Sequence, residues 1–292
     1  MRSKFAAYLE MTKPRAMIVV WVTAAAGFLV ALAERPLDAG LVALFLNLGI
    51  GVLLQGGGSI ALNQVMEVPH DRRMDRTRGR PMPSGRVSRR EGLLLGLALS
   101  VVGTVWLAIG VNAICAILGG LSIVTYVLLY TPLKRVTTLN TAVGAVPGAI
   151  PPMMGWAAVR NDLDLEAGLL FAILFVWQFP HFLAIAWLHR RDYEGAGYAM
   201  LSRFDPTGSV TAHQMIVNTF MLWGISLTPY FFGLTGPSYA LGATILSGLF
   251  FFLAFVFAAR RDDPAARWML RGSIVHISLL MIAFVLDKSG VI

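Results

Sequence analysis

The amino-acid sequence predicts an all-α polytopic membrane protein in which nine helices cross the bilayer. Three observations support this fold class. Hydrophobic residues make up 57% of the 292 residues and charged residues only 14%, which is far from the composition of a soluble domain. Apolar runs of about twenty residues recur along the chain, and this is the length that a membrane-spanning helix needs. The basic residues fall mainly in the short segments between these runs, as in membrane proteins.

Nine segments have the length and hydrophobicity of membrane spans. They lie at residues 16–33, 43–64, 92–110, 112–130, 139–158, 167–188, 212–232, 238–259 and 268–287. The segments between them are short and polar, and none has the composition of a soluble domain. The chain is therefore interpreted as a single integral-membrane domain, residues 1–292.

Two of these spans carry residues that affect helix geometry. The second span is rich in glycine from Gly49 to Gly58, and small residues let neighbouring membrane helices approach closely. The fifth span contains Pro147, Pro151 and Pro152, which are predicted to kink or interrupt that helix. A break at this depth indicates either the wall of a cavity or an irregularity of packing.

The distribution of positive charge predicts the orientation of the chain. Of the 24 Lys and Arg residues, 21 fall on one side of the nine predicted spans, and only Arg35, Arg160 and Lys288 fall on the other. Because cytoplasmic loops carry the excess of positive charge, the N-terminus is predicted in the cytoplasm and the C-terminus outside. The net charge of +8 therefore follows from membrane topology, and nucleic acid is not an expected partner.

The most charged segment of the chain, residues 63–90, is the first candidate site. Asn63, Glu67, Asp71 and Asp75 recur every four residues, so on a helix their oxygen atoms lie on one side. Oxygen ligands suit Mg²⁺, which proteins commonly hold between carboxylates and a substrate phosphate. Five arginines at positions 72, 73, 76, 78 and 80 are interleaved with them, and guanidinium groups bind phosphate oxygens. The alternative is a solvated loop whose arginines only set topology.

A second polar cluster lies at the end of the sixth span. Its members are Gln178, His181, His189, Arg190, Arg191 and Asp192. Four spans separate it from the first cluster, so both are predicted on the cytoplasmic side, together with Lys134. Acids, arginines and a lysine on one face of a helical bundle predict a diphosphate pocket, and independent loop charges are the alternative. Gln178 and His181 lie deeper in the membrane, where a second, bulky substrate could contact them.

Four stretches together resemble the protoheme IX farnesyltransferases of the UbiA-type intramembrane prenyltransferase superfamily. The stretches are TKPR at 12–15, the segment Asn63–Arg86, the segment Tyr130–Trp156 and the segment Trp177–Tyr193. The resemblance covers nearly the whole chain. It implies helices around a central cavity that opens toward the cytoplasm, with the second and sixth spans carrying the two acidic motifs.

The resemblance also implies roles for individual residues. Asn63, Glu67 and Asp71 match the motif that binds Mg²⁺ and diphosphate, and Asp192 matches the last acid of the second motif and is a fourth expected metal ligand. Arg76, Arg80 and Lys134 match residues that contact the diphosphate. Two departures follow from the sequence. His181 and Leu188 stand where quinone-directed relatives have acids, and Val68-Pro69-His70 fills a place where charged residues are expected. Pro69 is also predicted to kink or end its helix.

The activity implied by the resemblance is transfer of a farnesyl group from farnesyl diphosphate to the 2-vinyl group of heme B, with addition of water, giving heme O. His181 is the candidate heme contact, with Gln178 beside it, because neutral imidazole is a common iron ligand. Expected partners are the two substrates, membrane lipid and a heme-handling or oxidase-assembly protein, and the expected location is the bacterial inner membrane. The alternative acceptors are a quinone precursor or a chlorophyll-like molecule, and a transporter is the alternative class.

Overall fold

A computed structural model describes residues 3–33, 36 and 38–291. Every regular element in that part of the chain is helical, which confirms the all-α prediction. Arg2 and Arg35, which entered the charge count, lie outside the described residues.

The helices and their bounds follow one another with short connections. They are α1 (Lys4–Met11), α2 (Pro14–Leu32), α3 (Ala39–Asp71), α4 (Arg89–Gly110), α5 (Ala113–Ile123), a π-helical turn (Val124–Tyr130), α6 (Thr131–Leu133), α7 (Asn140–Arg160), α8 (Leu165–Leu188), α9 (Arg190–Gly195), α10 (Leu201–Phe204), α11 (Ser209–Phe231), α12 (Pro237–Arg260) and α13 (Asp263–Lys288). The segment Ala113–Leu133 forms one span across α5, the π-helical turn and α6.

Eight helices in the described part of the chain are long and apolar enough to cross a membrane, so the protein is an integral membrane protein. The predicted count of nine is wrong by one on this criterion, and the difference lies in α11. Its 23 residues give a length of about 34 Å at 1.5 Å per residue, which is sufficient to span. However, its first half carries His213, Gln214 and Asn218, and these polar side chains lower its mean hydropathy.

Helix α3 is longer than the predicted second span and carries the first polar cluster. It continues through Pro69 and ends at Asp71. Of the two predicted effects of Pro69, a kink or the end of the helix, the second does not occur. A proline this close to a C-terminus removes only one hydrogen bond from the last turns, which is a small loss for a 33-residue helix. The extension places Glu67 and Asp71 at the predicted cytoplasmic end of the bundle.

The helices pack at short range where small residues face backbone. Helices α2 and α7 pack along each other, and a Cβ atom at Gly155 would overlap the carbonyl oxygen of Ala24. Gly58 of α3 likewise lies against the backbone of Ser100 in α4, which confirms the expected packing role of glycine in the second span. Helix α7 is continuous from Asn140 to Arg160 with three prolines inside it, so the interruption considered from the sequence does not occur.

Helix α8 lies at the centre of one half of the bundle. It packs against α7, α11 and α13, and the hydrophobic core around it includes Trp156, Trp187 and, from α12, Phe257. The candidate site lies where the end of α3 meets the end of α6 and the segment that follows α9.

Candidate active site

The last turns of α3 present three of the predicted site residues on one buried face. Asn63, Glu67 and Asp71 are 1%, 4% and 0% exposed, so the four-residue spacing places them on one side as predicted. Asp75 continues the spacing in the sequence but lies beyond the helix end, where its exposed carboxylate pairs with Arg78 at 3.1 Å. The structure therefore separates Asp75 from the other three residues.

Each buried carboxylate of α3 forms an ion pair with a cation from another segment. Lys134 Nζ lies 2.8 Å from Glu67 Oε1, and Arg80 Nη1 contacts both oxygens of Asp71 at 2.8 and 2.7 Å. Charges removed from water require such partners. The acids consequently lie within a buried, charge-compensated cluster.

Aromatic rings surround the Lys134 ammonium group. Its Nζ lies 4.3 Å from the centre of the Tyr130 ring and 5.9 Å from that of Tyr198, within the range of cation–π attraction. Burial acts to lower the pKa of Lys134, but the nearby Tyr130 and Glu67 oxygens outweigh it and raise that pKa well above its ordinary value. The lysine is therefore a permanent positive charge at the site.

A π-helical turn at Val124–Tyr130 brings this lysine to the cluster. Such turns insert an extra residue into a helix and are frequent at functional sites. Here Thr131, which follows the turn, donates to the Tyr126 carbonyl at 2.8 Å and accepts from the Asn63 side chain at 2.8 Å. The hydrogen bond joins the end of α3 to the segment that carries Lys134.

Lys13, which was expected from the sequence only to set topology, lies within electrostatic range of the acidic cluster. It precedes α2 with a left-handed backbone, φ 47°, which is uncommon outside glycine. Burial first, and then the charges of Arg80 and Lys134, lower its pKa to about 8, while Glu67 and Asp71 act in the opposite direction. The sequence offered one signal of such a role, because Lys13 belongs to the TKPR stretch at 12–15.

The predicted residues of the second motif lie to one side of these ion pairs. Asp192 is half-buried in the first turn of α9, and the exposed Arg76 lies with its guanidinium 6.0 Å from the Tyr193 ring centre. Both residues influence His189. Its pKa is lowered overall, mainly by burial and then by the charge of Arg76, and the charge of Asp192 offsets part of that shift. Asp192 and Arg76 therefore belong to the rim of the site.

The oxygen donors of the cluster suit one particular mode of divalent-cation binding. No group of three or more His, Cys, Asp or Glu side chains within residues 3–33, 36 and 38–291 is arranged to hold a metal. Mg²⁺, however, commonly takes one or two carboxylates and completes its shell with substrate phosphates and water. Glu67 and Asp71, one helical turn apart, fit that mode of binding, with Asn63 as a neutral oxygen donor.

The deeper residues of the sixth predicted span have partners within the protein. The Gln178 amide nitrogen donates to the Ala145 and Leu174 carbonyls at 2.9 and 3.1 Å, so it joins α8 to α7. His181 Nδ1 lies 2.8 Å from Ser273 Oγ, and its ring stacks on Trp177 at 4.8 Å. The Nδ1 contact fixes the ring and leaves Nε2 as the nitrogen that can meet another group.

The unusual Val68-Pro69-His70 sequence has a structural role here. His70 Nδ1 lies 2.9 Å from the Ala196 carbonyl oxygen, and the His70 ring stacks on Tyr198 with centres 5.2 Å apart. The end of α3 is thereby attached to the segment after α9, which covers the acidic cluster.

Comparison with known proteins places this chain among membrane prenyltransferases. Residues 19–280 match the UbiA prenyltransferase family. A protoheme IX farnesyltransferase from Solibacter usitatus is 38% identical over 291 residues, which are 97% of this chain and 99% of that protein. Curated relatives from Flavobacterium johnsoniae and Myxococcus xanthus, 40% and 38% identical, carry the same name.

Solved structures share the fold at low sequence identity. A digeranylgeranylglyceryl phosphate synthase superimposes with a TM-score of 0.80 at 16% identity, covering 98% of this chain and 99% of that one. A UbiA homologue from Archaeoglobus fulgidus bound to GPP and Mg²⁺ superimposes with a TM-score of 0.69 at 14% identity, covering 95% and 99%. These likenesses support the helical architecture described above.

Proposed function

The chain belongs to the UbiA prenyltransferase family, and from this premise we propose that it transfers a farnesyl group from farnesyl diphosphate to the 2-vinyl group of heme B. Water adds in the same reaction, and the products are heme O and diphosphate. The observation that carries the proposal is the 38% identity over nearly the full length of a protoheme IX farnesyltransferase. The buried acid–cation cluster supplies the chemistry that this reaction needs at its diphosphate end.

The cluster is proposed to exchange partners when the diphosphate binds. Glu67 and Asp71 would hold Mg²⁺, with Asn63 and the rim residue Asp192 as further oxygen donors. Lys134 and Arg80, released from those acids, turn to the diphosphate oxygens, and Arg76 approaches from the rim. Every buried charge then keeps an opposite charge beside it. Bound Mg²⁺ supplies positive charge that stabilises the departing diphosphate.

The reaction breaks the allylic C–O bond and leaves positive charge on the farnesyl group. Lys134, Arg80 and Arg76 stabilise the negative charge that develops on the leaving diphosphate. The apolar walls of α7 and α8 exclude water from the allylic cation, and aromatic faces near Trp177, Phe179 and Phe182 stabilise it. The terminal carbon of the heme vinyl group bonds to farnesyl C1, and the inner vinyl carbon takes a hydroxyl from water, whose other proton is released.

His181 is proposed to contact the heme through Nε2. The hydrogen bond between Nδ1 and Ser273 Oγ and the stacking on Trp177 hold the imidazole in one orientation, as outer-shell partners do for metal-ligating histidines. Gln178 lies one turn away, and its proposed contribution to heme binding is through the helix contact that it maintains between α7 and α8.

The protein is proposed to lie in the bacterial inner membrane with a cytoplasmic N-terminus and the C-terminus outside. The acidic cluster then faces the cytoplasm, where a water-soluble diphosphate is released. A heme-handling or oxidase-assembly protein is proposed to receive the product, because heme O is poorly soluble in water. Mass spectrometry of hemes from a host that expresses the chain, with and without it, tests the proposed acceptor.

A second arm of that experiment separates the alternative acceptors. Membranes containing the chain are given radiolabelled farnesyl diphosphate with heme B, with a quinone precursor, or with a chlorophyll-like pigment. Label in the heme fraction alone supports the proposal. Label in either of the other acceptors would replace it, and unchanged farnesyl diphosphate in all three would favour a protein that transports rather than transfers.

A further inference from the structure

The segment that follows α9 holds Tyr198 against the acidic cluster. Gly197 has φ +77°, a left-handed conformation that glycine adopts at no steric cost. The Tyr198 backbone N–H donates to the Tyr193 carbonyl at 2.9 Å, and the next N–H, of Ala199, donates to the Lys134 carbonyl at 2.6 Å. The Asn140 side chain also donates to the Ala199 carbonyl at 3.0 Å. The backbone around Tyr198 is thus fixed relative to Lys134.

The Tyr198 ring is fixed as firmly as its backbone. It is 2% exposed, stacks on His70 at 5.2 Å with an interplanar angle of 30°, and meets the Tyr193 ring edge-on at 6.0 Å. A tyrosine held in this way keeps its hydroxyl in one place. That place is beside the ion pair of Glu67 and Lys134.

The hydroxyl of Tyr198 has no hydrogen-bond partner among the residues that the structure describes. It faces the Glu67 carboxylate without reaching hydrogen-bond geometry to it, and Lys134 and Asp71 are its other charged neighbours. Burial, followed by the charge of Glu67, raises the pKa of the phenol, so the group stays protonated and can donate. A buried donor without an acceptor destabilises a folded protein, and a bound ligand would relieve that cost.

We propose that the Tyr198 hydroxyl donates a hydrogen bond to an oxygen of the bound diphosphate. The proposal rests on the function proposed above. It adds a neutral hydrogen-bond donor to the three cations that are proposed to contact the diphosphate, Lys134, Arg80 and Arg76. When Lys134 turns from Glu67 to the ligand, the anionic oxygens come to the place that the phenol already faces. A preorganised donor of this kind requires no rearrangement as negative charge grows on the leaving group.

The test compares two tyrosine variants in binding of inorganic pyrophosphate to the full-length protein in detergent. Tyr198→Phe removes one oxygen and leaves the stacked ring in place. Tyr239→Phe is the matched control, because that hydroxyl is also fully buried but donates to the Ser226 carbonyl at 2.9 Å in another part of the bundle. Binding is measured with and without Mg²⁺, together with heme binding and the unfolding temperature of each ligand-free variant.

We expect Tyr198→Phe to bind pyrophosphate about tenfold to a hundredfold more weakly than the unmodified chain, as for loss of a hydrogen bond to a charged group. The loss is expected with and without Mg²⁺, since the contact is to the anion. Its unfolding temperature should be unchanged or higher, because an unpaired buried donor is removed, and heme binding should not change. Tyr239→Phe should bind pyrophosphate normally and unfold at a lower temperature.

Two results would overturn the inference while leaving the proposed function intact. One is equal pyrophosphate affinity of Tyr198→Phe and the unmodified chain. The other is a loss that occurs only with Mg²⁺, which would mean that the phenol acts through the metal ligand Glu67. Failure of the unmodified chain to bind pyrophosphate under either condition would instead overturn both the inference and the proposed function.

Discussion

Glu67 and Lys134 illustrate how buried charges are tolerated in this protein. Their side chains are 6% and 12% exposed and lie 2.8 Å apart. Breaking a buried pair by removing one partner typically costs about 3–5 kcal/mol, whereas replacing both partners costs far less. Each partner is therefore needed to compensate the buried charge of the other, although the pair as a whole adds little net stability.

A double-mutant cycle tests this interpretation. We expect Lys134→Met to lower the free energy of unfolding by about 3–5 kcal/mol, because it leaves the Glu67 carboxylate buried without its counterion. The double variant Glu67→Gln/Lys134→Met should recover most of that loss. Chemical denaturation in detergent measures both values, and additive effects of the two substitutions would contradict the paired role.

Lys13 is expected to make pyrophosphate binding depend on pH. Its pKa is lowered to about 8 in the folded protein, so it loses its proton as the pH rises through 8 and its attraction for an anion disappears. The free energy of unfolding changes with pH in the opposite direction to the affinity for the anion. Between the folded pKa of about 8 and the ordinary lysine pKa of 10.5, Lys13 is more protonated in the unfolded chain than in the folded protein. The free energy of unfolding of the ligand-free protein therefore rises with pH in this range.

The corresponding measurement is pyrophosphate affinity from pH 7 to 9.5. The unmodified chain should lose affinity above about pH 8, and Lys13→Met should bind weakly throughout, without that transition. Lys13→Arg, which stays charged over this range, serves as the control and should lose the transition but keep the affinity. A transition at pH 8 that persists in Lys13→Met would assign it to another group.

The sequence predicted the core of the site better than its surroundings. Asn63, Glu67 and Asp71 could be found because one helix carries them at a four-residue spacing, and the structure places them on one buried face. The predicted topology placed Lys134 on the same face and the resemblance gave it a role, but its approach to Glu67 depends on a π-helical turn that has no sequence signature. Tyr198 was not singled out because its position follows from the left-handed turn at Gly197 and from tertiary packing on His70.

At the scale of helices, the contact between α2 and α7 depends on the absence of side chains. We expect Gly155→Ala to prevent stable folding, because the added methyl group would meet the Ala24 carbonyl and the Phe28 amide, and backbone atoms cannot move aside as a flexible side chain can. Gly168→Ala in α8 is the control, since no atom lies within 4 Å of its added Cβ.

The measurement is the yield of monodisperse protein and its unfolding temperature. Gly168→Ala should be neutral or slightly stabilising, as alanine exceeds glycine in helix propensity by about 1 kcal/mol. A Gly155→Ala protein that folds with an unchanged unfolding temperature would show that the two helices can separate without cost.

Helix boundaries were the least predictable feature of the elements. Hydrophobicity ended the second predicted span at residue 64, but α3 continues to Asp71 because its polar residues are paired inside the bundle. Hydropathy reports transfer into lipid, whereas Asn63, Glu67 and Asp71 are buried against protein.

At the scale of the whole molecule, the distribution of Lys and Arg predicts which ends face the cytoplasm. We replace Cys115, which is buried, and introduce single cysteines at the exposed positions Ser84, Asp162 and Ser289. Ser202, an otherwise natural choice on the cytoplasmic side, is buried and donates to the Ala186 carbonyl at 3.1 Å, so it is unsuitable.

A membrane-impermeant thiol reagent should label Asp162→Cys and Ser289→Cys from outside, and Ser84→Cys only after the membrane is opened. Labelling of Ser289 from the cytoplasmic side, with the other two positions as predicted, would mean that α11 does not cross. Labelling of Ser84 and Asp162 from the same side would contradict the topology as a whole.

A reconstituted reaction measures whether the protein transfers a farnesyl group to heme and whether the acidic cluster of α3 takes part. The purified chain in lipid vesicles receives Mg²⁺, heme B and radiolabelled farnesyl diphosphate, and the heme fraction is analysed by mass spectrometry. We expect a labelled heme heavier by one farnesyl group and one hydroxyl. We also expect a loss of about a hundredfold or more in Glu67→Gln, with normal activity in Asp75→Asn, whose carboxylate is exposed. Unlabelled heme with the intact chain would contradict farnesyl transfer to heme, and full activity in Glu67→Gln would contradict the role of the acidic cluster.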